Sequence, residues 1–148
     1  MRLINLPNAI TCGNLLCGIV AAVYALLENF QTAMLLIIGA AVLDFVDGFA
    51  ARLLKVSSPI GKDLDSLADM VSFGVAPALV AVSLMGSLAE GEYLIVFVMV
   101  WLPLIVAPFS ALRLAKFNND SRQTENFMGL ATPANALFIS AIATSTWY

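Results

Sequence analysis

Five apolar stretches, each close to the length of a membrane-spanning helix, occupy most of this 148-residue chain. They run over roughly 8–27, 31–54, 67–89, 93–115 and 130–148. A transmembrane helix needs about 20 mainly apolar residues, and a bilayer contains no water that could satisfy an open sheet edge. Charged residues make up 11% of the chain, against about 25% in a soluble domain. The sequence therefore predicts an all-α integral membrane protein, a polytopic helical bundle with five spans.

All seven basic residues fall on one side of the predicted spans. They lie before the first span, around the second-to-third connection and around the fourth-to-fifth connection: Arg2, Arg52, Lys55, Lys62, Arg113, Lys116 and Arg122. The opposite connections contain glutamates and neither Lys nor Arg. Cytoplasmic loops of membrane proteins are enriched in Lys and Arg. The N-terminus and both basic connections of this multi-pass protein are therefore expected in the cytoplasm.

Local signals refine two of the helix starts. Ser57-Ser58-Pro59 offers an N-cap followed by proline at the first helical position. The third helix is therefore expected to begin near Pro59, outside the hydrocarbon region. Thr132-Pro133 punctuates the start of the fifth span.

Four aspartates stand out against this apolar background, because carboxylates in apolar surroundings are costly. They follow the spacing D-x2-D-G-x2-A-R-x8-G-x3-D-x3-D over residues 44–69. Asp44, Asp47 and Gly48 share one face of the second helix, since they are three and four residues apart. Asp65 and Asp69 lie one turn apart on the third helix. Because a short loop joins these helices, the four carboxylates are expected to converge near the cytoplasmic interface.

The composition narrows the chemistry that such a cluster could carry out. The chain has no histidine, which excludes histidine bases, histidine triads and histidine metal ligands. Like charges repel unless a cation of high charge lies among them, and all-oxygen ligation favours Mg2+, Mn2+ or Ca2+ over zinc. Arg52, Lys55 and Lys62 could bind phosphate beside the metal. Alternatively, each aspartate is simply solvated or paired with one of these basic residues.

The full pattern resembles the signature of the CDP-alcohol phosphatidyltransferase family, with all eight fixed positions matched. Such membrane enzymes transfer a phosphatidyl or related group from a CDP-linked donor to an alcohol and release CMP. The resemblance implies a bundle of six transmembrane helices, usually dimeric, whose site opens to the cytoplasm. Residues 1–148 are then expected to be a single domain of this family without its last helix. A prokaryotic cell membrane is the expected location.

The resemblance also implies roles within the pattern. The metal site implied by the resemblance consists of Asp44, Asp47, Asp65 and Asp69. The first three would hold two divalent ions, Mg2+ or Mn2+, and Asp69 would be the catalytic base that deprotonates the acceptor hydroxyl. Binding of the CDP-linked lipid is expected at five further positions: Gly48, Ala51, Arg52, Gly61 and Lys62.

The acceptor alcohol is indicated by segments outside the aspartate pattern. Four segments resemble the phosphatidylserine synthases of this family: residues 6–11 with Asn14, 69–77, 113–118 and 127–134. In the last segment, Ala131 stands where those enzymes usually have proline. The resemblance implies CDP-diacylglycerol and L-serine as substrates. Arg113, Lys116 and Arg122 lie on the correct side to bind the acceptor. Otherwise they serve topology and contact anionic lipid.

Two alternatives remain open from the sequence. The acceptor could instead be glycerol 3-phosphate or an inositol phosphate, whose phosphate should need a denser set of basic residues. A non-enzymatic cation-binding or transport protein would also use intramembrane carboxylates. However, no acidic residue lies deep in the first, fourth or fifth span, which argues against a continuous ion path. Membrane lipid and a second copy of the chain are the expected partners, and nucleic acid is not.

Overall fold

The first two helices form an antiparallel pair joined by a tight turn. The computed structural model describes residues 6–54, 59–89, 94–119 and 132–146, with α1 at Leu6–Leu26 and α2 at Phe30–Leu53. Glu28 adopts a left-handed conformation with φ of 59°. Asn29 caps α2, because its side chain accepts a hydrogen bond from the backbone N–H of Thr32 at 3.1 Å. One helix therefore ends and the next begins within a single short connection.

The third helical path changes its winding after Met70, one residue beyond Asp69. α3 covers Pro59–Met70, a π-helical turn covers Val71–Val75, and α4 covers Ala76–Leu88. Proline inside a helix lacks an N–H and crowds the carbonyl four residues earlier, and Pro77 is the second residue of α4. In the wider π turn, the N–H of Ala76 donates to the carbonyl of Val71. The π turn therefore gives the proline ring room, next to the last aspartate of the pattern.

The later helices are shorter. α5 covers Leu94–Trp101, a 3-10 turn covers Leu102–Ile105, α6 covers Val106–Asn119 and α7 covers Thr132–Thr146. The 3-10 turn contains Pro103, which cannot supply the hydrogen bond of a regular helix interior. α6 contacts α3 and the π turn, and α7 packs against α2 and α4. These contacts close the bundle around the third helical path.

The described helices confirm the predicted all-α membrane architecture. Within the described residues, four helical paths are long and apolar enough to cross a bilayer: Leu6–Leu26, Phe30–Leu53, Pro59–Leu88 and Val96–Lys116. They correspond to the first four predicted spans, and the third begins at Pro59, as its N-terminal signal predicts. The fifth predicted span contains α7, whose 15 described residues cover about 22 Å. The structure therefore confirms a helix within the fifth predicted span, and these described residues alone are shorter than the hydrocarbon core of about 30 Å.

Small residues allow α1 to pack closely against its neighbours in the bundle. It packs against α2, α3, the π turn and α4. A Cβ atom at Gly18 would lie 2.7 Å from the Cα of Ser72 in the π turn, so glycine is required for this close approach. Ala21 and Ala25 on α1 and Ala33 on α2 are fully buried. This packing brings the first turns of α1 beside the aspartates of α2 and α3.

Candidate active site

Three aspartates from two helices meet near the end of α2. Asp44 and Asp47 lie one turn apart on α2, and Asp65 lies on α3. One carboxylate oxygen from each of the three lies within 4.8 Å of the others. Asp47 is buried, and the other two are half-buried. Three like charges therefore share surroundings of low polarity, where they repel unless a cation lies between them.

Asp69, the fourth aspartate of the pattern, lies beside this cluster. It follows Asp65 by one turn, is half-buried, and has a carboxyl group that interacts with that of Asp44. Its Oδ1 accepts a hydrogen bond from Nδ2 of Asn14 on α1 at 3.3 Å. The structure thus brings all four aspartates together, but it gives Asp69 different surroundings from the other three.

α1 contributes a hydroxyl and an amide to the site, although it carries no aspartate. Thr11 Oγ1 donates to Asp47 Oδ2 at 2.6 Å and lies 3.0 Å from the carbonyl oxygen of Pro7. The hydrogen bonds of Thr11 and Asn14 therefore connect α1 to Asp47 on α2 and to Asp69 on α3. Neither residue is assigned to the site from the sequence, yet a signal was present. Asn8, Thr11 and Asn14 recur every three residues along an apolar helix and therefore lie on neighbouring turns of one face.

A pocket of about 260 Å³ opens beside the three-carboxylate cluster. Its walls come from the first turns of α1, the last turns of α2 and the first turns of α3: Pro7, Asn8, Thr11, Asp44, Asp47, Gly48, Ala51, Gly61, Lys62 and Asp65. Six of the eight fixed positions of the aspartate pattern therefore line one cavity. Of the remaining two, Asp69 accepts a hydrogen bond from Asn14 of α1, and Arg52 lies one turn beyond Gly48 on α2.

Gly48 leaves open space at the wall of this pocket. Among the described residues outside the backbone of its own helix, the atom nearest to a Cβ at Gly48 would be Nη2 of Arg52, at 3.9 Å. Packing within the protein therefore does not explain the glycine. Arg52 is exposed, and its Nε donates to the carbonyl of Gly48 at 3.0 Å. Lys62 is an exposed residue of the pocket wall, and Lys55 lies outside the described residues.

The three basic residues expected to bind the acceptor differ in position. Arg113 is half-buried on α6 and lines a second pocket of about 370 Å³, between α6 and α7. Hydroxyl and amide groups share that pocket with it: Ser110, Thr132 and Asn135. Lys116 is exposed on α6, and Arg122 lies outside the described residues. Arg113 therefore combines a positive charge with a pocket that contains hydrogen-bonding groups.

The three-carboxylate cluster fits a divalent cation. Oxygen ligands of Mg2+ lie about 2.1 Å from the metal, so ligands on opposite sides are about 4.2 Å apart. Carboxylate oxygens that already lie within 4.8 Å of one another need only small side-chain rotations to reach this arrangement. The chain has no histidine, and Cys12 and Cys17 are both on α1. All-oxygen ligation, which Mg2+ and Mn2+ prefer, is therefore what the site offers.

Comparison with known proteins agrees with the aspartate pattern. Residues 4–148 match the family model of CDP-alcohol phosphatidyltransferase. A CDP-diacylglycerol–serine O-phosphatidyltransferase of Bacillus subtilis is 38% identical, over 86% of this chain and 69% of that protein. The enzyme of the same name from Mycobacterium tuberculosis is 39% identical, over 89% of this chain and 46% of that protein. The archaetidylserine synthase of Methanothermobacter thermautotrophicus is 32% identical, over 98% of this chain and 60% of that protein.

The matched region includes every described helix and the whole aspartate pattern. No solved structure matches the chain. The chain covers between 46% and 69% of the length of these curated relatives. The resemblance that the spacing from Asp44 to Asp69 indicates is confirmed, and the chain belongs to the CDP-alcohol phosphatidyltransferase family.

Proposed function

We propose that this protein transfers the phosphatidyl group of CDP-diacylglycerol to the hydroxyl group of L-serine, giving phosphatidylserine and CMP. The names of the relatives support serine as the acceptor. Two are CDP-diacylglycerol–serine O-phosphatidyltransferases, and the third is an archaetidylserine synthase. These names share serine even though they differ in the lipid.

The observation that carries the proposal is a three-carboxylate cluster beside a pocket at the ends of membrane-spanning helices. This position suits a substrate whose diacylglycerol stays in lipid while its nucleotide enters water. Arg52 and Lys62 lie at the same end of the helices as the cluster. Because Lys and Arg mark the cytoplasmic side, the site is proposed to open to the cytoplasm, where serine and CMP are soluble.

The residues of the pocket have complementary proposed roles. Asp44, Asp47 and Asp65 would hold two divalent ions, Mg2+ or Mn2+, next to the diphosphate of the substrate. When bound, such ions neutralise phosphate charge and stabilise the leaving group. Gly48 keeps the pocket wall open for the nucleotide, and Lys62 adds positive charge at the wall. Ala51, Arg52 and Gly61 complete the proposed binding site for the CDP-linked lipid.

Asp69 is the proposed base. Its carboxylate takes the proton of the serine hydroxyl while the hydroxyl oxygen forms a bond to the phosphorus that carries diacylglycerol. The bond between this phosphorus and the bridging oxygen of the diphosphate breaks, and CMP leaves with that oxygen. Asp69 then releases the proton to water, which restores the carboxylate.

Arg113 is proposed to bind the carboxylate of serine. A guanidinium group binds a carboxylate through two parallel hydrogen bonds, and Arg113 is half-buried at a pocket with hydroxyl and amide groups. α6, which carries Arg113, contacts α3, the helix that contains Asp69, and the π turn that follows it. Lys116 and Arg122 are proposed to add positive charge nearby.

The wider setting follows from the family resemblance and from the distribution of charge. The protein is proposed to reside in the cell membrane as a multi-pass homodimer, with its N-terminus in the cytoplasm. Cysteine-labelling of single-cysteine variants in intact cells would test this orientation, and chemical cross-linking in membranes would test the dimer.

The reaction is tested with purified protein in detergent, CDP-diacylglycerol and Mn2+ or Mg2+. Radiolabelled serine, glycerol 3-phosphate and an inositol phosphate are compared as acceptors, and CMP release is measured in parallel. Labelled lipid should form from serine, and its rate of formation should fall to a small residual value in Asp69→Asn. Asp63→Asn is the matched control, because Asp63 is an exposed aspartate on the same helix. Absence of product from all three acceptors, or full activity in Asp69→Asn, would contradict the proposal.

A further inference from the structure

Asn14 is fully buried on α1 and in contact with Asp69. Its Nδ2 donates to Asp69 Oδ1 at 3.3 Å, whereas its own Oδ1 has no hydrogen-bond partner among the described residues. Buried amide groups generally satisfy both ends, since an unpaired buried carbonyl is costly. The amide group of Asn14 therefore donates to Asp69, although its own carbonyl oxygen has no partner among the described residues.

The orientation of this amide follows from the chemistry of its partner. A carboxylate accepts hydrogen bonds and donates none. If the amide of Asn14 were turned over, its carbonyl oxygen would face Asp69 Oδ1, and the two acceptors would repel. A residue that served helix packing alone would be better as leucine, which has a similar size and no polar group to leave unpaired. The contact with Asp69 thus explains both the residue type and its orientation.

The backbone of Asn14 is also held against the helical path that carries Asp69. Ser72 Oγ donates to the backbone carbonyl of Asn14 at 3.1 Å. One turn later on α1, Gly18 permits the close approach of Ser72. The side chain of Asn14 therefore starts from a backbone position that is fixed relative to Asp69.

We propose that Asn14 is a positioning residue for Asp69. Its amide group holds Oδ1 of the Asp69 carboxylate so that Oδ2 faces the acceptor hydroxyl. This inference rests on the proposed function, in which Asp69 is the base. Thr11 is the natural comparison, because it makes an equivalent contact to Asp47 of the metal-binding cluster. Loss of Asn14 should therefore slow proton transfer, and loss of Thr11 should weaken metal binding.

The test compares Asn14→Leu and Thr11→Val with the unchanged protein. Steady-state kinetics give kcat and KM, and electron paramagnetic resonance gives Mn2+ affinity without substrate. Asn14→Leu should lower kcat about 10- to 100-fold, the usual range for outer contacts of active-site groups. Its KM for CDP-diacylglycerol and its Mn2+ affinity should stay within about twofold. Thr11→Val should weaken Mn2+ binding instead.

Two further variants distinguish a specific loss of the Asn14–Asp69 contact from a general loss of structure. Ser140→Ala removes a buried hydrogen bond within α7, from Ser140 Oγ to the carbonyl of Ala136, and lies outside the contacts of Asn14 and Asp69 described above, so its kcat should stay within about twofold. Asn14→Ala also removes the amide donor and adds no charged group beside Asp69, so it should show the same loss of kcat as Asn14→Leu. It replaces the leucine variant if that protein fails to fold.

A double-mutant cycle with Asp69→Asn separates positioning from indirect damage. If Asn14 acts through Asp69, then Asn14→Leu should lower kcat little further once Asp69→Asn is present. A second fall by the same factor would overturn the inference, as would an Asn14→Leu protein whose kcat is within about twofold of the unchanged protein. An active protein that is insensitive to Asn14→Leu refutes this inference alone. An unchanged protein that forms no product refutes the proposed function and this inference with it.

Discussion

Replacing Gly48 by alanine should abolish most of the transferase activity while the fold stays intact. Among the described residues outside the backbone of its own helix, the nearest atom to the new Cβ is Nη2 of Arg52 at 3.9 Å, an ordinary contact distance. Alanine favours a helix over glycine by up to about 1 kcal/mol, so the free energy of unfolding should stay constant or rise by that amount. The methyl group would instead occupy the pocket wall where the nucleotide is proposed to bind. Because a displacement of about 1 Å can cost roughly 100-fold in rate, kcat/KM should fall by about that factor.

Gly39→Ala provides a matched control on the same helix. No atom of the described part of the chain, its own helix backbone aside, lies within 4 Å of a Cβ at Gly39. This variant should therefore gain the same helical stability without any loss of activity. Thermal unfolding in detergent and kcat/KM for CDP-diacylglycerol are measured for both variants. A Gly48→Ala protein that retains activity within about twofold, or that unfolds at a lower temperature than Gly39→Ala, would contradict this prediction.

Three other outcomes are expected. Mn2+ at about 100 times its dissociation constant should raise the free energy of unfolding by about 2.7 kcal/mol, and an equal rise in Asp65→Asn would contradict the three-carboxylate site. Gly18→Ala should lower the free energy of unfolding, measured by thermal unfolding, by about 1–3 kcal/mol, because the new Cβ would lie 2.7 Å from the Cα of Ser72. A Gly18→Ala protein as stable as Gly39→Ala would instead show that the two helices can move apart at no cost. Arg113→Gln should raise the KM for serine about tenfold or more, since a hydrogen bond to a charged group contributes about 1.5–3 kcal/mol. A larger rise in the KM for CDP-diacylglycerol would contradict this role and place Arg113 in the binding site of the lipid substrate.

Much of the fold was predictable because a bilayer permits few alternatives to a helical bundle. Hydropathy located the first four spans, and the proline signal located the start of α3 at Pro59. The changes in winding were not predictable to the same degree. Whether Pro77 produces a kink, a break or a π turn depends on which neighbouring helices fill the space around it. That information lies in the packing against α1 and not in the local sequence.

The aspartate cluster was predictable because helical periodicity places its members on facing sides of two neighbouring helices. The separate surroundings of Asp69 could not be deduced in the same way. A spacing of four residues places Asp65 and Asp69 on one face, but it does not say which of them lies closer to α1. The crossing of α1 with the π turn decides this, and it depends on the approach of Ser72 to Gly18.

One face of α1 therefore links the fold to the chemistry. Thr11 and Asn14 have short side chains, so each reaches an aspartate of another helix only if the two backbones lie close together. Farther along the same face, Gly18 and Ala21 allow that close packing. A bulkier residue at Gly18 should therefore act at a distance, by moving the amide of Asn14 away from Asp69. Loss of activity in Gly18→Ala should accordingly exceed what its loss of stability explains, because the protein would remain folded while Asp69, the proposed base, is no longer held in place.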